Sequence, residues 1–361
     1  MAKDELLGVR DQIDQVDLKI QTLLNERAEL AQNVAEIKQR QSSEDVLFYR
    51  PEREADVLRR VQERNNGPLP DKTVAALFRE IMSACLALEH PMKIAYLGPE
   101  GTYTQEAAIK QFGHAAHWVA LSAIDEIFRE VASGSAQYGV VPIENSTEGV
   151  INHTLDMFLN SSLKICGEVE LKIHHQLLSK EVDPSRITTV YSNQQSLAQC
   201  REWLDHNLPH AERVPVKSNG EAARLAETTD CSAAIASKAA ADIYHLTVLS
   251  SNIEDQAENS TRFLVLGKEA VGPSEKDKTS LILTSKNHPG ALHDVLMPFA
   301  ENNVNMTRIE SRPSQRGLWE YVFFIDIEGH QSNEVVAKAI ISLGDVASNV
   351  RVLGSYPQAV I

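Results

Sequence analysis

Two short polar strings in the middle of the chain carry the residue types that could do chemistry. Residues 142–146 read Pro-Ile-Glu-Asn-Ser, and residues 260–263 read Ser-Thr-Arg-Phe. Each borders an apolar, strand-like run, and strand ends in α/β sheets are where loops present polar groups to ligands. A carboxamide, three hydroxyls, a carboxylate and a guanidinium, with no metal-ligand cluster nearby, suit a small anionic substrate handled by hydrogen bonding and proton transfer.

A second candidate set lies in the first forty residues, where apolar residues recur in two seven-residue registers between positions 6 and 37. Arg27 interrupts one register, and Lys38 lies within roughly 20° of the same helix face. Two cations facing one cavity could hold the two carboxylates of a dianion. An arginine that only sets the register or forms an ion pair is the alternative interpretation of Arg27.

Arg10 points elsewhere, about 100° from Arg27 and ~25 Å along the axis, so it cannot join that cavity within one chain. An antiparallel copy of the helix could bring Arg10 of one subunit to Arg27 and Lys38 of another. The pattern therefore predicts an intertwined homodimer, or a higher homo-oligomer, with shared sites. Arg53, Glu54 and Glu89 could complete the cavity. Each of these residues alone is typical of a solvated surface.

Length and composition limit the class of protein. A chain of 361 residues with 43% hydrophobic and 24% charged residues predicts two or three globular domains. No apolar run reaches the roughly 18–20 residues of a membrane span. The acidic, helical start does not resemble a signal peptide, so we expect a cytoplasmic protein. The net charge of −15 argues against nucleic-acid binding, and four scattered cysteines without a CxxC indicate reduced thiols.

Three segments with different periodicities must position these residues. The heptad stripe predicts a helix of ~50 Å, a second helix should follow residues 49–51, and a third should begin at Asp71 as its N-cap. From Met92 short apolar strands alternate with helices, which indicates α/β architecture. Residues 267–278 have the composition of a linker, and the remainder follows the ferredoxin-like βαββαβ order.

Three minor motifs add detail. Residues 98–103 (Gly-Pro-Glu-Gly-Thr-Tyr) predict a strand-to-helix turn whose amides could receive a carboxylate. His174 and His175 alternate faces on a strand, so a joint metal site is disfavoured and a buried, hydrogen-bonded histidine is expected. Residues 289–292 (Pro-Gly-Ala-Leu) begin a helix whose free amides suit an amino-acid carboxylate, although core packing alone also explains the small residues.

These segments resemble three known families in series. Residues 7–38, 49–54 and 78–89 resemble the all-helical chorismate mutase. Asn145 and the Thr-Arg-Phe string resemble prephenate dehydratase, and residues 290–292 with 310–313 (Glu-Ser-Arg-Pro) resemble the phenylalanine-sensing ACT domain. The order is that of the bifunctional chorismate mutase–prephenate dehydratase family. The resemblance implies an all-α domain (1–91), a two-lobed α/β domain (92–268) and a ferredoxin-like α+β ACT domain (279–361).

The resemblance also implies roles for particular residues. Chorismate would be rearranged to prephenate by a mutase site that needs no cofactor and no metal, composed of Arg10 (from the neighbouring subunit), Arg27, Lys38, Arg53, Glu54 and Glu89, with substrate contacts from Arg50 and Cys85. Three of these depart from the family pattern: Glu89 stands where many relatives carry glutamine, Arg50 where an acid is frequent, and Cys85 where a small hydroxyl often lies. Glu89 could therefore donate to the ether oxygen only when protonated.

In the second domain the resemblance assigns Thr261 as the essential hydroxyl that assists loss of the C4 hydroxyl of prephenate. From the residues alone, a β-edge threonine bonded to backbone would be favoured. Substrate-binding positions are implied at Asn145, Ser192, Gln195, Gln199, Arg262 and Phe263. Phenylalanine, as an allosteric effector, would bind at Gly290, Ala291, Leu292, Glu310, Ser311, Arg312 and Pro313.

One alternative is a non-catalytic amino-acid-sensing binding protein whose two-lobed middle domain only holds a ligand. Loss of Arg27, Lys38 or Thr261 would favour it, and all three are present. A periplasmic solute-binding protein is disfavoured by the absence of an export signal. A DNA-binding regulator is disfavoured by the acidic balance.

Overall fold

The structure is a computed structural model that describes residues 2–41, 48–285, 288–313 and 321–360. It confirms the predicted multidomain class, with a helical region, a two-lobed α/β region and a small α+β region in that order. Among the described residues, no helix combines the length and the apolar character required to cross a membrane.

The helical region consists of three helices, as predicted: α1 (Ala2–Gln41), α2 (Pro51–Arg64) and α3 (Asp71–Glu89). Proline at the first position of α2 is favourable because its missing N–H would have no helical partner there. The expected capping role of Asp71 is wrong, because Pro70 occupies the N-cap position and Asp71 is the first helical residue. Its carboxylate instead accepts a hydrogen bond from Asn65 Nδ2 (2.7 Å).

Helix α1 extends ~60 Å at 1.5 Å per residue and packs against α3. Both heptad registers remain solvent-exposed in the single chain; Ile13 is 53% and Leu30 64% exposed. The other large apolar residues of these registers are also exposed: Leu6, Val9, Val16, Ile20, Leu23, Val34 and Ile37. One chain therefore does not fill the apolar seam of its longest helix.

The α/β region begins with the elements of a first lobe: β1 (Lys93–Leu97), α4 (Tyr103–Phe112), β2 (His117–Leu121), α5 (Ile124–Ser133), β3 (Tyr138–Asn145), β4 (Gly149–Val150), α6 (Asn152–Asn160) and β5 (Lys164–Lys172). The chain then forms a second lobe: β6 (Gln176–Ser179), β7 (Thr189–Asn193), α7 (Gln194–Gln199), α8 (Arg201–Asn207), β8 (Glu212–Val216), α9 (Asn219–Thr228), β9 (Ser232–Ala236), α10 (Lys238–Ile243) and β10 (Thr247–Ser250). It returns to the first lobe as β11 (Ser260–Gly267).

Each lobe contains its own sheet. The first has the strand order β2-β1-β3-β11-β5, with β4 paired to β3, and the second has the order β10-β6-β9-β7-β8. Residues 173–175 and 251–259 are the two crossings between lobes. They are bonded to each other, since Ile173 N donates to Asn259 O (2.8 Å) and Ile253 N donates to His175 O (2.9 Å). These two crossings form the junction that connects the two lobes.

The C-terminal region contains the predicted βαββαβ elements: β12 (Asp277–Ser285), α11 (Ala291–Glu301), β13 (Met306–Pro313), β14 (Tyr321–Glu328), α12 (Glu334–Val346) and β15 (Asn349–Pro357). Their sheet is antiparallel with the order β13-β14-β12-β15. This order places the first and third strands of the unit at the centre, as in a ferredoxin-like fold.

The C-terminal sheet packs directly on the first lobe. One apolar core combines first-lobe residues with residues of the C-terminal sheet: Ile143, Leu155, Phe158, Ile165 and Leu264 with Ile282, Val322, Phe324, Leu353 and Tyr356. The predicted linker is anchored rather than free, because Val271 is buried and Arg59 of α2 donates to Ser274 Oγ (3.1 Å) and Lys276 O (2.9 Å). The three regions therefore form one packed unit.

Candidate functional site

A cavity of about 820 Å³ lies between the two lobes of the α/β region. Its wall includes Asn145, Thr261 and Phe263 from the first lobe and Gln195 and Gln199 from the second. Five of the predicted substrate-binding and catalytic positions therefore border one cleft. They come together because β11 lies antiparallel to β3, which places Thr261 opposite Asn145.

The Asn145 carboxamide determines how the Thr261 hydroxyl can act. Its oxygen accepts from Thr147 N (3.0 Å), Thr147 Oγ1 (2.6 Å) and Glu148 N (3.1 Å). Its nitrogen donates to Thr261 Oγ1 (2.8 Å) and Asn259 Oδ1 (2.8 Å). Because Thr261 already accepts a hydrogen bond from Asn145, its own hydrogen can be offered to an acceptor in the cavity. The geometry makes Thr261 a hydrogen-bond donor.

Arg262 does not face this cavity, contrary to the expectation that it contacts the substrate beside Thr261. Successive side chains of a strand point to opposite faces, so Thr261 and Phe263 line the cavity while Arg262 faces the C-terminal sheet. The guanidinium donates to Glu168 Oε2 (2.8 Å), Asp326 Oδ2 (2.6 Å) and Tyr356 Oη (3.0 Å). Arg262 is therefore an interdomain ion-pairing residue.

Ser192 does not make the expected contact with the substrate cavity, because its side chain is fully buried and its hydroxyl donates to Ile235 O (2.8 Å).

The two glutamines of α7 bridge the lobes. Gln195 Nε2 donates to Glu148 Oε2 (3.0 Å), and Gln199 Nε2 donates to Thr147 Oγ1 (3.1 Å). They hold the cleft together as well as lining it.

Helix N-termini and cationic side chains give the cleft a positive electrostatic potential. The N-termini of α4 and α9 border it, capped by Thr102 and Ser218, and helix N-termini favour anions. Lys217 and Arg224 lie on its wall and were missed from the sequence. The Ser218-x-x-Glu221 capping box after β8 could have revealed this part of the site. It predicts the start of a helix, with free backbone amides, beside Lys217.

A second cluster of charges lies where the three helices of the first region meet. Burial lowers the pKa of Lys38, Glu89 opposes this, and the nearby cations Arg50 and Arg53 lower the pKa further. Burial raises the pKa of Glu89, while Lys38 and Arg27 partly oppose the rise. These electrostatic interactions place five of the predicted mutase residues in one cluster.

The other predicted mutase residues lie differently. Glu54 is 13% exposed, and its Oε1 is 3.3 Å from Arg79 Nε, on the side of α2 that faces the first lobe. Arg79 also donates to Lys110 O (2.6 Å), so in this chain Glu54, a predicted mutase residue, is paired with α3 next to the first lobe. Cys85 is buried one helical turn before Glu89, and Arg10 is exposed near the far end of α1.

A cavity of about 300 Å³ lies at the start of α11, bordered by Gly290, Ala291 and Leu292 with Tyr321 and Phe323. Gly290 has a φ of 90°, which a residue with a Cβ rarely adopts. The four residues of the second effector string do not border this cavity: Glu310, Ser311, Arg312 and Pro313. One chain therefore does not bring the two effector strings together.

The second string instead meets the first lobe. Arg312 Nη2 donates to both carboxylate oxygens of Asp156 in α6 (2.7 and 2.8 Å). Arg308, on the same strand, donates to Glu144 Oε2 (2.8 Å), and Glu144 adjoins Asn145 in β3. Strand β13 thus links the C-terminal region to the first lobe through two ion pairs.

The fold and the two charge clusters define a multidomain enzyme of small dianionic substrates, and comparison with known proteins specifies the family. Three family models match in series: chorismate mutase type II over residues 9–90, prephenate dehydratase over 94–271 and the ACT domain over 279–345. The chain belongs to the bifunctional chorismate mutase/prephenate dehydratase family.

Individual relatives support this membership. Enzymes with that name from Stutzerimonas stutzeri and Pseudomonas aeruginosa are each 52% identical to the chain and match over 99% of both lengths. The crystal structure of prephenate dehydratase in complex with L-Phe from Arthrobacter aurescens is 34% identical with a TM-score of 0.69. That alignment covers 74% of this chain and 92% of the other.

Proposed function

We propose that the chain converts chorismate to prephenate within residues 1–91 and prephenate to phenylpyruvate within residues 92–268, under feedback inhibition by phenylalanine bound to residues 279–361. The observation that carries the proposal is the Asn145–Thr261 pair, which presents a hydroxyl donor inside a cleft bordered by helix N-termini and cations. The same chain also carries the cluster of Arg27, Lys38 and Glu89.

The helical site suits an intramolecular rearrangement. The Claisen rearrangement of chorismate needs no nucleophile, so the protein only has to hold the dianion in a compact conformer and stabilise charge on the ether oxygen. Arg27, Arg50 and Arg53 would bind carboxylates. Lys38 and protonated Glu89 would donate to the ether oxygen.

The site predicts an unusual pH dependence for the mutase reaction. Protonated Glu89 can donate a hydrogen bond, and ionised Glu89 can only accept one. Because burial raises the pKa of Glu89, the donor form persists to higher pH than in an exposed glutamate. Mutase activity should therefore fall as pH rises through this pKa. Glu89→Gln should remove this decline, and parallel pH profiles for parent and variant would disprove the role.

The cleft suits a decarboxylating dehydration. The bond between the ring and its carboxylate breaks to release CO₂, its electron pair enters the ring, and the C4–O bond breaks. Hydroxide is a poor leaving group, so a hydrogen bond and proton from Thr261 would let it depart as water, and the Thr261 oxygen would then regain a proton from solvent. The amides at the N-termini of α4 and α9, with Lys217 and Arg224, would hold the substrate carboxylates.

The exposed face of α1 supports a homo-oligomer. An antiparallel copy of α1 would cover the apolar registers that one chain leaves in solvent, and would bring Arg10 to the Arg27–Lys38 cluster of its partner. Arg10 lies too far from that cluster to act within its own chain. The proposed mutase site is therefore completed by the partner subunit.

A mixing experiment tests whether the partner subunit completes this site. Arg10→Ala and Arg27→Ala chains are each expected to be inactive as mutases alone. In a mixed dimer one site would contain both substitutions and the other neither, so random exchange should restore about a quarter of the parent sites. No recovery after subunit exchange would place Arg10 outside the mutase site.

The cavity at the start of α11 is proposed as the place where phenylalanine binds. Ala291→Leu adds atoms inside this cavity, and overpacking of ~1–3 kcal/mol corresponds to a ~5- to 150-fold loss of affinity. The phenylalanine concentration that half-inhibits the dehydratase should rise accordingly. Val335→Leu, on the exposed face of α12, is the matched control and should not change it. Equal inhibition of the parent and Ala291→Leu enzymes would place the effector elsewhere.

A single assay tests the whole proposal against the alternative of a non-catalytic amino-acid sensor. Purified protein is given chorismate, and the loss of chorismate and appearance of phenylpyruvate are followed with and without phenylalanine. Turnover of both steps, reduced by phenylalanine, is the expected result. Binding of amino acids without any turnover would support the sensor instead.

A further inference from the structure

A continuous chain of hydrogen bonds connects His175 to Thr261. His175 Nε2 is 2.8 Å from Gln199 Oε1, and the same oxygen accepts from Asn259 Nδ2 (3.1 Å). Asn259 Oδ1 accepts from Asn145 Nδ2 (2.8 Å), which also donates to Thr261 Oγ1 (2.8 Å). A buried imidazole is therefore linked through three carboxamides to the hydroxyl proposed to assist dehydration.

The donor-to-acceptor direction of this hydrogen-bond chain is determined by the other hydrogen bonds that its side chains make. Gln199 Nε2 donates to Thr147 Oγ1 (3.1 Å) and faces Glu148 Oε1 (3.4 Å), and a carboxylate can only accept. The Gln199 oxygen must therefore face His175, so the hydrogen of the imidazole lies on Nε2. Tyr103 Oη, 2.8 Å from His175 Nδ1 and 3.0 Å from His174 O, then offers its one hydrogen to these two acceptors.

Gln199 controls the surroundings of Asn145 by two routes. One route is Asn259, and the other is Thr147, whose hydroxyl donates to Asn145 Oδ1 (2.6 Å) while accepting from Gln199. A reversed Gln199 amide would oppose N–H to N–H at Asn259 and would draw the Thr147 hydrogen away from Asn145. The N–H of His175 and the carboxylate of Glu148 are the two groups that prevent this reversal.

His175 also lies where the two lobes join. Its side chain is buried, its carbonyl accepts from Ile253 of the other crossing (2.9 Å), and its amide donates to Glu254 Oε2 (2.8 Å). Burial lowers the pKa of His175 despite Gln199 and Glu254, which favours the neutral ring with one donor and one acceptor. The donor to Gln199 is thus held on a rigid part of the lobe junction.

We infer that His175 is a positioning residue for the dehydration step, whose Nε2 hydrogen sets the direction of the amide chain and so keeps Thr261 presented as a donor to the cleft. The inference rests on the proposed function of that cleft. His175 borders the cleft, but the inferred role is exerted on other side chains and not on the substrate. It acts through Gln199, Asn259 and Asn145.

Two isosteric substitutions separate this role from simple packing. His175→Gln keeps an amide N–H near the position of Nε2 and so keeps the donor to Gln199. His175→Asn reaches only the position of Nδ1, which keeps a partner for Tyr103 but loses that donor. We expect His175→Asn to lower kcat for prephenate ~10- to 100-fold with KM nearly unchanged, and His175→Gln to recover most of kcat.

The neighbouring histidine offers a matched control. The His174 ring is half-exposed, and its Nδ1 lies 2.8 Å from Glu254 Oε1, outside the chain of carboxamides. The contact of His174 with Tyr103 uses its backbone carbonyl, which a substitution of the side chain keeps. His174→Asn should therefore leave the amide chain intact and kcat for prephenate close to that of the parent.

The mutase rate and melting temperature of the same preparations report whether each variant is folded. Equal kcat values for His175→Asn and His175→Gln, or losses that only follow the melting temperature, would overturn the inference. The ¹⁵N shifts of the His175 ring in the unsubstituted enzyme provide a second test: the neutral Nε2–H tautomer is expected, and the Nδ1–H tautomer would overturn it.

The failure of this inference can be told apart from the failure of the proposed function. An active Thr261→Ala enzyme would refute the proposed function of the cleft. An inactive Thr261→Ala enzyme beside a fully active His175→Asn enzyme would refute the positioning role alone.

Discussion

Thr261→Ala should abolish the dehydration of prephenate while leaving the rearrangement of chorismate intact. The substitution removes the hydroxyl that Asn145 holds as a donor in the cleft, and loss of a positioned proton donor costs ~10²- to 10⁴-fold in rate. The helical site is made of residues from other elements, so it should keep its activity. Given chorismate, the variant should accumulate prephenate instead of phenylpyruvate.

Thr261→Ser is the matched control, because serine keeps the hydroxyl and loses only a methyl group. It should retain far more dehydratase activity than Thr261→Ala. The mutase rate, measured on the same preparation, reports folding. Dehydratase activity at the parent rate in Thr261→Ala would remove Thr261 from the chemistry, and loss of both activities in a folded variant would argue for one shared site.

Arg27→Ala should have the opposite effect. Removing one cation that holds the dianion should lower mutase activity by ~10²- to 10³-fold, while supplied prephenate should still be converted to phenylpyruvate. Arg40→Ala is the matched control, because Arg40 lies on the same helix, is exposed and pairs with Glu36 (3.0 Å). Similar losses in both variants would mean that Arg27 has no special role.

The periodicity of apolar residues predicted most helices and strands, because the local sequence pattern determines these elements. The start of α11 at Ala291 and the βαββαβ order agree with the structure. Strand alternation alone places Arg262 on the face opposite to Thr261, but the periodicity does not show which of these two faces borders the cleft. Strand β11 is buried on both faces, so its sequence shows no alternation of apolar and polar residues that would mark the cleft side. Only the packing of the C-terminal sheet decides which face Arg262 occupies.

Glu54 illustrates the same limit in a helix. Helix α2 meets α3 on one side and the neighbouring regions on others, with Pro51, Ala55, Leu58 and Arg59 all buried. The geometry of an α-helix shows that the side chains of Arg53 and Glu54 point in directions about 100° apart. It cannot tell which of them faces a substrate, because the contact of Glu54 with Arg79 depends on how α2 packs against α3.

The shared core between the first lobe and the C-terminal sheet has a consequence for engineering. Deleting the C-terminal region from β12 onward would expose the apolar face formed by Ile143, Leu155 and Phe158 and would leave Arg262 and Glu168 without Asp326 and Lys278. Breaking a buried ion pair costs about 3–5 kcal/mol, a large part of the stability of an ordinary domain. A strain builder seeking an enzyme released from end-product control should therefore alter single residues at the α11 cavity and keep the whole regulatory module in place.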